Sequence, residues 1–274
     1  MKQDVYSQPG APDPVLTEET VMGIVRRCVP GARRMTGVDE SGGEARTYAA
    51  DEDVILKVQR PHRLRWRTAL EKEVFFLRQI EKVNLPVPRV LGYGRDGGIE
   101  YTCMTRIPGI PVCRAGLSPE RRRAMLVELG KVLRAIHSLD PKPFIESGLF
   151  PMDEDADLAE RLRRRAVSGV RAQKEETLPV IEAALSKLPP VVQFAAVHSN
   201  PGATHTFVDE TDGRFTGLID FGDAYIGHPV LDLLRWNAEE RKPLLEGYTA
   251  ENPLDGAFQA VLQVVDRLDE IIED

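Results

Sequence analysis

The stretch from Val197 to Asp223 decides the fold: Val-His-Ser-Asn-Pro-Gly-Ala-Thr-His-Thr-Phe-Val-Asp-Glu-Thr-Asp-Gly-Arg-Phe-Thr-Gly-Leu-Ile-Asp-Phe-Gly-Asp. Its pattern predicts a short buried strand, a polar loop, a strand, a glycine-containing turn and a further strand that ends at Asp220-Phe221-Gly222. A carboxylate at a strand end can reach a metal ion that phosphate groups hold. The polar loop can supply a side chain that orients a hydroxyl group, so the layout suits phosphate chemistry.

The same stretch resembles the catalytic loop of the aminoglycoside phosphotransferase family, whose fold is similar to that of protein kinases. That loop is usually His-Gly-Asp, four residues, then Asn. Here Asn200 stands at the aspartate position and His205 at the final asparagine position. At His205 alone the chain resembles the macrolide-phosphotransferase branch, which also has His-Thr there. The resemblance implies that His198 and Asn200 are catalytic-loop residues. It also implies that His205 and Asp220 hold Mg²⁺ on a bound nucleotide.

Two substitutions within this loop leave alternatives open. An amide at Asn200 cannot accept the substrate proton as a carboxylate can, although it can still position a hydroxyl group. The chain is therefore a natural pseudokinase, a slow enzyme, or an Asp→Asn variant made to trap a complex. A neutral imidazole at His205 can ligate a divalent ion or hold a water molecule, and the alternative is a structural histidine.

Lys57 lies in the middle of an apolar strand, Val54-Ile55-Leu56-Lys57-Val58. A buried lysine is unfavourable unless it is paired, and the alternative is an exposed edge face. The family resemblance assigns Lys57 to the nucleotide α- and β-phosphates, with a helix glutamate as its partner. In the family that this chain resembles, the partner glutamate is followed four residues later by leucine, which favours Glu73, with Leu77, over Glu71. We therefore expect Lys57, Glu73 and Asp220 to converge.

The resemblance implies a nucleotide-binding function for two further segments. The turn Ser41-Gly42-Gly43 precedes the Lys57 strand, and its N–H groups can approach phosphates, unless it is only a hairpin turn. Residues 104–109 resemble the family's hinge, in which Met104, Thr105 and Ile107 would contact the adenine edge; the alternative is a plain linker. Both ATP and GTP remain candidate cofactors, together with Mg²⁺.

The order of the elements, strands first and helices later, predicts an α+β, two-lobed, protein-kinase-like fold. Thr17 is a candidate N-cap for the first helix, another helix is expected over about 66–83, and helices are expected near Pro229–Glu240 and Gly256–Glu273. The predicted parts are a flexible tail at 1–14, a nucleotide-binding N-lobe at 15–105, and a C-lobe at 106–274 with the catalytic loop and the acceptor site.

The composition of the chain limits the kinds of binding partner and the compartments that we expect. The chain has 274 residues, a net charge of −7 and a pI of about 5.4, which argues against nucleic-acid binding because phosphate contacts need a basic face. No apolar run approaches the ~20 residues that span a bilayer. The first residues lack a signal-peptide core, and three cysteines without metal spacing predict reduced thiols in a cytoplasmic protein.

The expected activity is transfer of a nucleotide γ-phosphate to a hydroxyl of a small molecule, such as a sugar or an antibiotic. Phosphorylation of an antibiotic would confer resistance to it. The alternative is a catalytically dead, kinase-like protein that binds a nucleotide or another ligand. The acidic balance suits a cationic acceptor or serves only solubility. Acidic residues at 153–160 and Glu239-Glu240 are candidates for lining a cationic site, or are solvated helix faces.

Overall fold

The computed structural model describes residues 15–39, 44–60, 70–96, 98–150, 157–170, 174–190 and 194–273. Two compact units are present, Met1–Gly116 with Ala203–Ala224 and Leu117–Gly202 with Tyr225–Asp274. The predicted tail at 1–14 and the turn Ser41-Gly42-Gly43 lie outside the described residues.

An antiparallel sheet forms the centre of the first unit. Its strands are β1 (Met35–Asp39), β2 (Ala45–Ala50), β3 (Val54–Gln59), β4 (Val90–Asp96) and β5 (Ile99–Thr105). They are ordered β1-β2-β3-β5-β4. Side chains alternate between the two faces of a sheet. Tyr48, Leu56 and Cys103 are register partners and lie together in the buried face.

The first helix, α1 (Glu18–Cys28), packs in the same core cluster. Thr17 caps it as predicted, because its side chain accepts a hydrogen bond from the Thr20 N–H at 3.3 Å. Val21, Ile24 and Val25 are buried on one face. Each such aliphatic side chain stabilises the fold by about 1.5–3 kcal/mol, so this stripe fixes the helix to the sheet.

The described part of the predicted 66–83 helix is α2 (Leu70–Ile80), continued by a 3-10 turn at Glu81–Val83. Residues 61–69 lie outside the described part of the chain. The remaining strands are β6 (Ile110–Pro111), β7 (Ala195–Val197), β8 (Thr206–Val208), β9 (Phe215–Leu218) and β10 (Tyr225–Gly227). The order β6-β8-β9 forms a small sheet in the first unit, and β7 pairs with β10 in the second.

Helices dominate the second unit. They are α3 (Pro119–His137), α4 (Lys142–Glu146), α5 (Leu158–Gly169), α6 (Lys174–Leu185), α7 (Val230–Leu233), α8 (Ala238–Tyr248) and α9 (Gly256–Glu273). Helices α3 and α8 pack closely because position 130 is glycine: a Cβ there would lie 2.1 Å from the Leu244 carbonyl oxygen. None of the described helices has both the length and the apolarity to cross a bilayer.

The prediction of one helix near Pro229–Glu240 is wrong. The chain instead forms α7, leaves the helical path after Leu233, and starts α8 at Ala238. Asn237 causes the restart, because its side chain accepts the Glu240 N–H at 2.9 Å and so caps the second helix. The closing helix at Gly256–Glu273 is confirmed.

Candidate active site

Lys57 lies between two carboxylates of the first unit. Its Nζ donates to Oε1 and Oε2 of Glu73 at 2.8 and 2.9 Å, and to Oδ1 of Asp220 at 2.9 Å. The side chains of Lys57 and Glu73 are 16% and 2% exposed, whereas that of Asp220 is 42% exposed. The three residues converge as the sequence predicts, with Glu73 as the partner, while Glu71 pairs with Arg95.

Local structure explains why these side chains meet. Lys57 is on the central strand β3, between register partners Thr47 and Thr102, and Glu73 is in the first turn of α2. A buried charge without a partner destabilises a protein by about 3–5 kcal/mol. The carboxylate of Glu73 therefore needs Lys57, whereas the half-exposed Asp220 keeps access to solvent and to a ligand.

The electrostatics of this cluster favour the charged lysine. Burial by itself lowers the pKa of Lys57, but the charges of Asp220 and Glu73 and their hydrogen bonds outweigh burial and raise that pKa above its ordinary value. Burial raises the pKa of Glu73, and the Lys57 charge opposes that rise. Lys57 thus stays an ammonium group at neutral pH and can bind phosphate oxygens.

The Asp-Phe-Gly segment is anchored to α2. Phe221 is fully buried and its ring centroid lies 5.1 Å from that of Phe76 on α2. The Phe221 N–H donates to Oε1 of Glu73 at 3.2 Å. Asp220 itself has a left-handed backbone, with φ of 71°, which a non-glycine residue adopts only when its surroundings enforce it. This turn directs the Asp220 carboxylate to Lys57 rather than along the strand.

His205 lies beside the same carboxylate. Its Nε2 is 3.3 Å from Oδ2 of Asp220, and its carbonyl oxygen accepts the Ile219 N–H at 3.0 Å. In the described part of the chain, no three His, Cys, Asp or Glu side chains form a metal cage. Mg²⁺ keeps several waters and binds through one or two carboxylates plus phosphate oxygens. The single half-exposed carboxylate therefore fits Mg²⁺ that enters with a nucleotide.

The predicted hinge follows β5. Met104 is buried, and the Thr105 N–H donates to the Arg89 carbonyl at 2.9 Å while the Thr105 hydroxyl accepts the Arg89 N–H at 2.8 Å. Ile107 is 9% exposed, and its N–H has no hydrogen-bond partner within the described part of the chain. A nearly buried residue with an unpaired donor is unusual, so this N–H suits the acceptor edge of a ligand.

A half-buried apolar surface lies on the Lys57 face of the sheet. Ile55 is two residues before Lys57 on β3 and therefore points to the same face, where its register partners are Ala49 and Met104. Ile55 and Ala49 are only partly buried, unlike the opposite face of these strands. A flat apolar ring can cover this surface, with its polar edge toward the Ile107 N–H and its charged end toward Lys57. The surface therefore fits a nucleotide.

In the second unit, Asp232 holds the loop that was predicted to be catalytic. Its buried carboxylate accepts the backbone N–H of His198 at Oδ2 and that of Ser199 at Oδ1, both at 2.7 Å. The His137 Nε2 lies 2.9 Å from Oδ2, and the other nitrogen of this ring is 3.0 Å from the Tyr248 hydroxyl. Asp232 therefore braces this loop through two backbone N–H groups and is itself held by His137.

This network keeps Asp232 ionised. Burial opposes ionisation, but the hydrogen bond and charge of His137, together with His198, hold the pKa of Asp232 below its ordinary value. Burial also raises the pKa of Tyr248 to about 12, so its hydroxyl stays a proton donor. The loop is therefore fixed by an anion that titrates only in acid.

Asn200 has an arginine as its neighbour. The buried His198 ring accepts the Asn200 N–H at Nδ1 at 3.2 Å, which fixes the backbone of the loop. The side-chain oxygen of Asn200 accepts from Nε of Arg235 at 2.9 Å and also from its Nη2. The next residue, Trp236, donates from Nε1 to the Pro201 carbonyl at 2.9 Å and so fastens the arginine's backbone to the loop.

The predicted residues therefore form two groups. The first unit contains Lys57, Glu73, His205, Asp220 and the hinge residues Met104, Thr105 and Ile107. The second contains His198 and Asn200, and Ser41-Gly42-Gly43 lies outside the described residues. Sequence reasoning missed the contacts of His137, Tyr248 and Arg235. The histidine that ends the apolar stripe of α3 was a signal, whereas nothing in the local sequence distinguishes Arg235.

A five-stranded antiparallel sheet, a lysine–glutamate pair and a mainly helical second part define the class of kinase-like phosphotransferase folds. The chain itself belongs to the phosphotransferase enzyme family, because the model of that family matches residues 38–255. The predicted aminoglycoside phosphotransferase resemblance and the α+β, kinase-like fold class are thereby confirmed.

Solved structures share this fold at low identity. The streptomycin–ATP ternary complex of APH(2")-IIa is 20% identical, with a TM-score of 0.58 over 95% of this chain and 92% of that one. The GDP complex of aminoglycoside 2'-phosphotransferase-IIIa is 16% identical, with a TM-score of 0.66 over 94% and 92%. The macrolide 2'-phosphotransferase of Brachybacterium faecium is 17% identical, with a TM-score of 0.62 over 92% and 87%.

A longer relative occurs in mouse. Acyl-CoA dehydrogenase family member 10 of Mus musculus is 23% identical over 194 residues. The match covers 66% of this chain but only 18% of the mouse protein. The chain therefore corresponds to one part of that relative.

Proposed function

We propose that this protein transfers the γ-phosphate of ATP or GTP to a hydroxyl of a small molecule, with Mg²⁺ as cofactor. The observation that carries the proposal is Lys57 held between Glu73 and Asp220. An ammonium group fixed beside a half-exposed carboxylate supplies a phosphate contact and a metal ligand in the same place. Solved relatives bind ATP or GDP, which supports a nucleotide here.

The residues of the first unit divide the work on the nucleotide. Lys57 binds phosphate oxygens, and Glu73 orients Lys57 while also holding the backbone of Phe221. Asp220 ligates Mg²⁺, with His205 as a second ligand or as the holder of a water. When bound, the ion neutralises the charge on the phosphates. The hinge residues Met104, Thr105 and Ile107 and the turn Ser41-Gly42-Gly43 complete this site. Most of it belongs to the nucleotide-binding part at 15–105, whereas Ile107, His205 and Asp220 come from later in the chain.

The residues of the second unit act on the acceptor, within a part that spans 106–274. The acceptor oxygen forms a bond to the γ-phosphorus while the bond from that phosphorus to the β–γ bridging oxygen breaks, and the electron pair stays on the nucleoside diphosphate. The hydroxyl proton leaves to solvent. Asn200 positions the hydroxyl but cannot take the proton, and His198 fixes Asn200. The reaction is therefore attenuated, since general-base help is typically worth ~10²–10⁴-fold.

The related structures indicate the chemical class of the acceptor only in broad terms. Related structures bind streptomycin, gentamicin or kanamycin, or are macrolide phosphotransferases. We propose an antibiotic or sugar-like hydroxyl compound as acceptor and the cytoplasm as compartment. Cys28, Cys103 and Cys113, all in the described part, are unpaired thiols, which agrees with a reducing compartment.

A second candidate function rests on the contact between Arg235 and Asn200. Because this amide oxygen already accepts two N–H groups, the chain would bind a nucleotide and an acceptor without joining them. Such a pseudokinase keeps Lys57 and Asp220 for binding alone. The two functions differ in turnover and not in affinity.

The test combines binding and turnover. Calorimetry with ATP and GTP, with and without Mg²⁺, measures the nucleotide site. Mass spectrometry of acceptors incubated with each nucleotide detects a phosphorylated product. Mg²⁺-dependent binding with a product supports the transferase, and binding with no product from any acceptor supports the pseudokinase. Absence of nucleotide binding refutes both.

A further inference from the structure

The guanidinium group of Arg235 lies against the side chain of Asn200 in the loop after β7. Two of its five N–H donors engage the oxygen of Asn200, and the side chain remains exposed. A Cβ at Gly202 would lie 3.9 Å from the Arg235 Cβ and 3.7 Å from the Asn200 oxygen, so all three groups share one small patch. The Trp236 contact with Pro201 keeps this patch in place.

This charge is not balanced. The one side-chain partner of Arg235 within the described residues is a neutral amide, and no described carboxylate forms an ion pair with it. By contrast, Arg122 lies over the Trp236 ring at 5.6 Å but is paired with Glu240 at 2.6 Å. A carboxylate at position 200, as the family loop usually has, would neutralise Arg235. With asparagine there, the patch carries a net positive charge.

Within the described part of the chain, the acidic residues that suggested a cationic acceptor already have partners. Glu240 binds Arg122, and Glu239 binds Lys242 at 2.8 Å. In the 153–160 segment, Asp157 caps α5 and Glu160 lies 3.4 Å from Arg164; residues 151–156 lie outside the described part. These contacts favour the interpretation of solvated helix faces for the acidic groups.

We propose that the acceptor is a hydroxyl compound that carries its own oxyanion, a carboxylate or a phosphate, and that Arg235 binds this group. The proposal rests on the proposed phosphotransferase function and names its substrate class. A planar guanidinium matches the two oxygens of a carboxylate or phosphate in a fork of hydrogen bonds. Arg235 then orients the acceptor so that its hydroxyl lies at Asn200, and it disfavours polycationic acceptors through like-charge repulsion.

Matched acceptor pairs test the proposal. Calorimetry compares glycerate with glycerol and gluconate with glucose, and streptomycin serves as the cationic probe. We expect the charged member of at least one pair to bind at least about tenfold more tightly than its neutral partner. Arg235→Gln should weaken that binding by about 10–100-fold and leave the neutral partner unchanged. Arg235→Lys, which keeps the charge but loses the fork, should be intermediate.

Three further measurements test whether the effect is specific to the charge of Arg235. Arg267→Gln removes an exposed arginine that pairs with Glu270 on α9, and it should change nothing. Asn200→Asp should weaken oxyanion binding, because the new carboxylate neutralises Arg235. Where turnover is measurable, Arg235→Gln should raise the acceptor KM and leave kcat nearly constant. Thermal melting of each variant confirms that it is folded.

Several results would overturn the proposal: no oxyanion binds, the neutral or cationic acceptor binds better, or the preference survives in Arg235→Gln. A fall in kcat with an unchanged KM would also overturn it, since Arg235 would then act on the transferred group. Phosphorylation of neutral acceptors without any Arg235 effect refutes the substrate class and leaves the transferase intact. Arg235-dependent oxyanion binding with no product supports the acceptor site and refutes the transferase.

Discussion

Ser199 donates its backbone N–H to Oδ1 of Asp232 at 2.7 Å while it adopts a left-handed backbone, with φ of 81°. For an L-residue other than glycine this conformation is unfavourable by about 1–2 kcal/mol. The contact with the buried carboxylate holds the strain, and the family loop usually has glycine at this position. The loop therefore stores strain at a site where glycine would store none.

Replacement of Ser199 by glycine should stabilise the protein. The relief of strain exceeds the larger unfolded-state entropy of glycine, so we expect a net gain of about 0.5–1 kcal/mol in the free energy of unfolding. Urea titration measures it. Ser138→Gly is the matched control, because Ser138 has φ of −88° and its hydroxyl donates to the Arg134 carbonyl, so this change should lower stability. Equal effects of the two changes would contradict the strain argument.

Removal of the Asp220 carboxylate should separate metal-dependent from metal-independent nucleotide binding. We expect Asp220→Ala to weaken binding by about tenfold or more with Mg²⁺, because one charged ligand is lost. Without Mg²⁺ the affinity should stay equal or rise, since an anion that repels phosphate is gone. Asp212→Ala, at an exposed turn, is the control. Equal Mg²⁺-dependent binding by Asp220→Ala and the parent protein would refute the metal assignment.

A carboxylate at position 200 should accelerate transfer. Asn200→Asp adds a group that can take the acceptor proton, and we expect kcat to rise by roughly 10² or more. Arg235 would pair with the new carboxylate and reduce its basicity, so Asn200→Asp with Arg235→Gln should give a further rise in kcat. Nucleotide affinity should scarcely change. The measurement is turnover of one acceptor by all variants, with Asn200→Ala as the control. If the parent protein has a measurable rate and Asn200→Asp does not raise it, position 200 is not the place of a general base.

His228 should make the protein less stable in mild acid. The ring is 3% exposed and its Nδ1 accepts the Val230 N–H at 3.2 Å. Burial, and then the charge of His137, lowers the pKa of His228 from 6.5 to about 4, although Asp255 opposes the shift. Between these values the unfolded chain binds more protons than the folded one, so stability falls as the pH drops from about 6.5 to about 4.

The expected loss from His228 by about pH 5 is about 2 kcal/mol relative to about pH 7.5. His228→Asn keeps an acceptor for the Val230 N–H but cannot titrate, so its stability should fall less over the same range. Urea unfolding of both proteins at the two pH values gives the comparison. Identical losses would show that His228 does not control the acid response.

The convergence of Lys57 and Asp220 was predictable from sequence because each of these two residues violates a local expectation. Lys57 interrupts an apolar strand, and Asp220 ends one, so each residue type is unfavourable unless it has a partner or a ligand. Glu73 required the family spacing as well. The structure joins these residues across up to 163 positions, yet no side-chain detail was needed to expect it.

The contact between Arg235 and Asn200 was not predictable in the same way. Nothing in the sequence distinguishes Arg235 from an ordinary surface arginine. Its contact with Asn200 depends on where α7 ends. The structure interrupts the predicted single helix between Leu233 and Ala238, and Arg235 lies in this interruption. The Asn-x-x-Glu pattern at Asn237 was visible, but its effect on a neighbour's direction depends on tertiary packing.

The nearly complete burial of Glu73 has a consequence for how loss-of-activity variants are interpreted. Lys57 neutralises this carboxylate, so replacing Lys57 by methionine leaves an uncompensated charge inside the first unit. Such a change destabilises a protein by about 3–5 kcal/mol, a large fraction of the total stability of a typical domain. A cell that carries the methionine variant would contain less protein and not merely inactive protein. Lys57→Met with Glu73→Gln removes both charges together, and its abundance and melting temperature should exceed those of the single variant.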